Sequence, residues 1–184
     1  MAVVRLDSKE CPECGMPLVG YGGSRKSDIM IIVGQADESD FESGKVLHGS
    51  WNKPLYQELS KRKIDMYSCS LVNYYPHEKP STRTKVAREQ WERCLKLSTD
   101  KLLKEADGKR FILCVGSEVT KFFLGYGDVT CSGIPLTSKF FSAEMVMGIQ
   151  SIQYVSTNSC GEFCLALDRF SEEVFKRRKY GNNK

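Results

Sequence analysis

Cys11-Pro-Glu-Cys14-Gly puts two thiols on a short turn, at the spacing that lets paired thiolates grip one metal ion or one cluster iron. Two sulfurs do not complete a site. Of the other cysteines, at 69, 94, 114, 131, 160 and 164, Cys94 falls on a predicted helix from which its sulfur could reach the turn. His77, in a loop after a predicted strand, is a candidate fourth ligand. Cys69 and Cys114 fall in predicted strands and read as small core residues. The competing reading makes Cys11 and Cys14 spare thiols of a reducing compartment.

A second chemical feature is acidic. Asp37, Glu38, Asp40 and Glu42 follow directly on the apolar run 29–34, in a chain of net charge +4. Asp37 is nearest the strand end and is the candidate metal ligand or general base, whereas Glu38, Asp40 and Glu42 read equally well as a solvated turn. No Gly-Lys-Ser/Thr follows, which argues against a nucleoside-triphosphatase. With two histidines, neither beside a nucleophile elbow, a serine or cysteine hydrolase has little to build on, and His48 reads as structural.

The elements that must carry these residues alternate. Strands are expected at 29–34, 66–75, 111–115 and 151–156, and helices at 52–63, 86–106, 117–124 and 162–178, with a short hairpin somewhere in 128–148. Residues 1–27 form a Cys- and Gly-rich entry segment and 176–184 a basic tail of one 184-residue domain. Such alternation implies a three-layer α/β/α fold with a central, mostly parallel four-stranded sheet. Ligands of such sheets gather at the carboxyl ends of the strands. Three polar ends should therefore converge on one crevice: Gly34-Gln35-Ala36-Asp37, Leu71-Val72-Asn73-Tyr74 and Ser156-Thr157-Asn158-Ser159. Composition is ordinarily globular, with 41% apolar and 27% charged residues, and no apolar run approaches a membrane span. The first residues lack the apolar core of a secretory signal, so a cytoplasmic protein with no membrane partner is expected.

The order of these segments resembles the uracil-DNA glycosylase superfamily, most closely its fourth family, the iron–sulfur type. The likeness runs from Cys11 to the last helix. Cys11 and Cys14 stand for the opening Cys-x-x-Cys, and Gly34-Gln35-Ala36-Asp37-Glu38 for the strand-ending Gly-Glu-Ala-Pro-Gly. Gly44 to Gly49 loosely matches Gly-x-Pro-Phe-x-Gly, and 70–76 takes the place of Asn-Val-Val-Lys-Cys-Arg-Pro. Arg83 and Cys94 fit a loop arginine and a cluster cysteine, 111–125 the strand–Gly–helix unit, Ser132-Gly133 a short Arg-Gly element, and 156–160 the His-Pro-Ser/Ala motif.

The resemblance implies a base flipped into a pocket, water activated from the first motif, and a departing base stabilised from the last. Gln35, Asp37 and Asn158 would be the catalytic positions, and Gly34, Ala36, Ser70, Asn73 and Tyr74 the base pocket. Arg83, Lys85, Arg88, Ser132 and Ser159 would contact DNA. Cys11, Cys14, Cys94 and His77 would hold an iron–sulfur cluster or zinc. Four positions depart from the family together: Gln35 replaces Glu, Ser70 replaces Asn, Asn158 replaces His and Tyr74 replaces the third cluster cysteine. Asn73 could read a base edge if the register shifts by three, and His77 or Cys69 could replace the missing ligand.

Two readings follow: a degenerate relative that binds DNA beside a DNA polymerase or other replication protein, as in bacteriophages, or an active glycosylase of altered specificity. In a virus the location would be the host cytoplasm. A third reading, a protein-capture module, would use Trp51, Tyr74 and Tyr75.

Overall fold

The computed structural model describes residues 10–34, 38–49, 52–78, 80, 84–125, 132–152 and 161–181. The strands are β1 (Gly22–Gly23), β2 (Ile29–Val33), β3 (Ser70–Asn73), β4 (Phe111–Val115), β5 (Pro135–Ser138) and β6 (Phe141–Ile149). The helices are α1 (Glu38–Ser43), α2 (Lys53–Lys61), α3 (Lys85–Ala106), α4 (Ser117–Leu124) and α5 (Gly161–Gly181). They build one sheet of order β1-β3-β2-β4-β6-β5. The four inner strands are parallel, and both edge strands run antiparallel to their neighbours.

Strand alternation divides the core into two layers. Ile29, Ile31, Val33, Leu71, Leu113 and Met147 face the helix pair α2 and α5, through Leu55, Leu59, Leu167 and Phe170. Met30, Ile32, Val72, Ile112 and Val146 face α3 and α4, through Leu102, Val119 and Phe123. A strand buried on both sides must be apolar at every position, which is why β2 reads Ile-Met-Ile-Ile-Val.

Local chemistry sets the element ends. Thr84 caps α3 by accepting the Ala87 N–H, and Pro54 sits in the first turn of α2, where no N–H is needed. Gly125, at φ 78°, closes α4 in the left-handed conformation. At the amino edge of the sheet Arg178 of α5 donates to Asp28, and Arg110 pairs with Glu144.

Several expectations need correction. The sheet has six strands, because residues 22–23 and the hairpin strand 135–138 add antiparallel edges to the expected four. The fourth parallel strand among the described residues is Phe141–Ile149; of the expected 151–156, Ser151 and Ile152 are not strand and 153–156 lie outside the described residues. Exposed, polar Ser142 and Glu144 disguise it: its first half reaches past β4 and pairs on the hairpin side, Phe141 opposite Ser138, while Met145 to Ile149 pair with β4. Residues 66–68 form a 3-10 turn capped by Asp65, so β3 begins only at Ser70. The basic run is the last part of α5 rather than a tail: Arg177 bonds Glu173 and the Glu144 carbonyl, and Arg178 bonds Asp28. No helix among the described residues is long and apolar enough to cross a membrane.

Candidate metal centre and strand-end crevice

Residues 11–15 form a knuckle. The Cys14 and Gly15 N–H groups both donate to the Cys11 carbonyl, at 3.3 and 2.7 Å, and Gly15 takes φ 74°. A left-handed turn at this point favours glycine. The Cys11 N–H donates to Met16 and closes the loop from the other side.

Two further segments deliver ligands to the knuckle. Cys94 projects from α3, with its Sγ 3.6 Å from that of Cys11. His77 comes from the loop after β3 and brings Nε2 to 3.2 Å from Cys14 Sγ. The four donor atoms lie within 4.8 Å of one another, so this cluster could bind a metal. Nδ1 of His77 lies 2.8 Å from the Glu78 carbonyl, which can only accept, so Nδ1 carries the proton and Nε2 presents its lone pair. Cys69, the other proposed replacement for the missing ligand, is instead in the core below α2 and donates to the Asp65 carbonyl.

The surroundings hold these groups. Trp91, one turn before Cys94 on α3, packs edge-on against His77 and joins Cys11 and Cys94 in a small apolar cluster. Arg93 bonds the Glu13 carboxylate at 3.1 Å, and Gln90 donates to the Glu13 carbonyl at 3.2 Å. The Val19 N–H donates to Pro76. Burial pushes the Cys11 thiol up, opposed by the Glu13 and Cys14 N–H groups; burial and then the neighbouring Cys11 and Cys14 push Cys94 up. A bound dication would reverse that preference by supplying the missing positive charge.

The second feature is the carboxyl edge of the sheet. Tyr74 N–H donates to Val33, Gly34 N–H to Val115 and Gly116 N–H to Ile149, so four strand ends step past one another in register. Gly34 approaches α4 closely: a Cβ there would lie 3.0 Å from Val119 Cγ2. Asn73 ends β3 beside Val33 with only 5% of its surface exposed, and neither its Oδ1 nor its Nδ2 has a hydrogen-bond partner among the described residues. Such a buried, unpaired amide costs about 1–3 kcal/mol per lost bond, so it marks a place where a ligand edge or water belongs.

The remaining expected site residues are distributed unevenly. Ser70, expected in the base pocket, lies at the opposite end of β3, buried beside Met30 with its hydroxyl unpaired. Tyr74 turns its ring into the layer under α3 and α4, against Phe122 and Phe123, and burial with nearby Glu118 pushes its phenol up to about 12. It is only 4% exposed and forms no surface patch. Ser132 lies by the carboxyl end of β6, where the next residue's N–H, that of Gly133, donates to the Gly148 carbonyl. Lys85 and Arg88 are exposed on the first turns of α3; Lys85 pairs with Glu89 at 3.7 Å. Gln35, Ala36, Asp37, Trp51, Arg83, Asn158 and Ser159 lie outside the described residues.

In sequence Asp40 reads equally well as a working acid of the loop or as a solvated turn residue. It is fully buried in α1, and its Oδ1 accepts the N–H groups of His48, at 2.5 Å, and Gly49, at 3.3 Å. Asn52 donates to the Leu47 carbonyl from the other side, so these two side chains pin the loop 44–49. Neither a protein-family model nor a curated protein matches this sequence.

Proposed function

We propose that this chain is a uracil-DNA glycosylase-like DNA-binding protein with degenerate or altered catalysis, acting in viral or bacterial DNA replication or repair. The observation that carries the reading is the buried, unpaired Asn73 amide at the carboxyl edge of a parallel sheet. A side-chain amide offers one donor and one acceptor side by side, the pattern that complements the edge of a flipped pyrimidine. Its place, three residues beyond Ser70, agrees with the register shift considered for the pocket motif. Lys85 and Arg88 at the start of α3 supply phosphate contacts that fix DNA without reading it.

Asn158, which replaces the expected histidine, can donate one hydrogen bond to a departing base but cannot carry positive charge. A DNA polymerase or other replication protein is the partner that such a non-catalytic relative would serve. An active glycosylase, with Asp37 positioning water, is the alternative.

The test is paired. Binding to duplex and single-stranded DNA, with and without uracil or a modified pyrimidine, is measured alongside release of the base as abasic sites. DNA binding without release, with the preference for the modified strand lost about tenfold in Asn73→Ala, supports the reading. Release that vanishes in Asp37→Ala moves the assignment to the active enzyme. No DNA binding at all overturns both.

A further inference from the structure

We propose that Cys11, Cys14, His77 and Cys94 hold a single tetrahedral zinc ion rather than the iron–sulfur cluster that the resemblance implies. Donor geometry and donor identity carry this inference, whether or not the chain binds DNA.

Distances decide between the two groups. With bonds of about 2.3 Å to sulfur and 2.0 Å to nitrogen, a tetrahedral zinc sets its sulfurs about 3.8 Å apart and sulfur from nitrogen about 3.5 Å. The Cys11–Cys94 separation of 3.6 Å and the Cys14–His77 separation of 3.2 Å are of that size. A four-iron cubane holds its ligating atoms at corners about 6 Å apart, and a two-iron cluster separates donors on different irons by more than about 5 Å. Every donor pair here lies within 4.8 Å. The Cys11 and Cys94 sulfurs nearly touch, which leaves no room between them for a cluster of irons and sulfides.

The donor set agrees. Three cysteines and one histidine make one of the standard closed zinc sets. The imidazole is held in the ligating tautomer by the Glu78 carbonyl, an outer contact of the kind metal-bound histidines make. Cys11, Cys94 and His77 are buried, so no position is open for substrate and the ion's task is structural. It joins the knuckle, α3 and the loop that leaves Asn73, and thereby staples one wall of the strand-end crevice.

The experiment uses the full chain, purified under argon without chelators. Zinc, iron and acid-labile sulfide are counted per chain, and cobalt(II) alone is then titrated into chelator-treated protein. Expected are one zinc, neither iron nor sulfide, and cobalt bands in the about 600–750 nm region with the intensity of a tetrahedral thiolate site. His77→Cys should retain one zinc; Cys94→Ser should lose it, whereas Cys160→Ser should not. The wild-type stoichiometry carries the test if a ligand variant fails to fold. Iron with sulfide and absorbance near about 400 nm, iron without sulfide, or protein that takes up neither zinc nor cobalt overturns the proposal.

Discussion

Nε2 of His77 lies 3.2 Å from Sγ of Cys14, across 63 residues of chain. His77 also stands four residues after Asn73, so one short loop connects the candidate metal centre to the buried amide of the crevice. Anything that loosens the centre acts first on that loop.

If these four ligands hold a metal, its removal should be visible at Trp91, whose ring touches both His77 and Tyr75. A strong chelator is expected to shift tryptophan emission to the red and to lower the melting temperature by about 10 °C, both reversed by added zinc. The measurement is a thermal scan with emission spectra in a Trp51→Phe background. Unchanged emission and melting after verified metal removal would dismiss the stapling role.

Asp40 predicts a different kind of loss. Its buried carboxylate serves two loop N–H groups, and Asp40→Ala leaves both without that acceptor. A destabilisation of about 2–4 kcal/mol is expected in urea unfolding, with an unchanged slope. A change within about 0.5 kcal/mol would show that Asp40 is the surface acid its sequence context suggested.

The acid limb of stability should depend on Asp28. Its hydrogen bond from Arg178 is the largest influence and holds its carboxyl below the usual range, burial working the other way. A depressed folded value stabilises the native state above the unfolded value of about 3.9 and loses that contribution as pH falls through the folded value. Asp28→Asn should cost at most about 1 kcal/mol at neutral pH, since the pair is partly solvated, and progressively less below about pH 4. Unfolding at a series of pH values checks the sign: a deficit that grows on acidification contradicts the linkage.

Gly148 tests how closely α4 lies on the sheet. A Cβ there would stand 2.3 Å from Thr120 Cγ2, so Gly148→Ala should cost about 1–3 kcal/mol. Thr120→Ser removes that methyl while keeping the hydroxyl bond to the Gly116 carbonyl, and should recover part of the loss. A double-mutant cycle with coupling below about 0.5 kcal/mol would count against the contact.

What could be read in the chain was whatever local pattern enforces. A strand buried on both faces must be continuously apolar, so Ile29 to Val33 and Phe111 to Val115 were visible at once, as was the amphipathic α3 with Cys94 on its inner side. β6 was hidden because half of it extends past β4, with polar Ser142 and Glu144 exposed there, and Gly148 interrupts its apolar run, a residue explained only by Thr120 packing against it. The structural role of Asp40 was illegible for another reason: burial of a carboxylate is fixed by which N–H groups fold back onto it.

The sequence by itself determined the alternating architecture, the knuckle spacing of Cys11 and Cys14, and a short set of candidate partners for them. Only the tertiary structure brought the four ligand atoms together, removed Ser70 from the expected pocket to the far end of its strand, and turned Tyr74 away from the crevice. The physical reason is that these choices turn on loop path and strand register. A shift of one residue reverses which face a side chain takes, and a shift of three carries it about 10 Å along the strand, while the pattern of apolar and polar residues changes little.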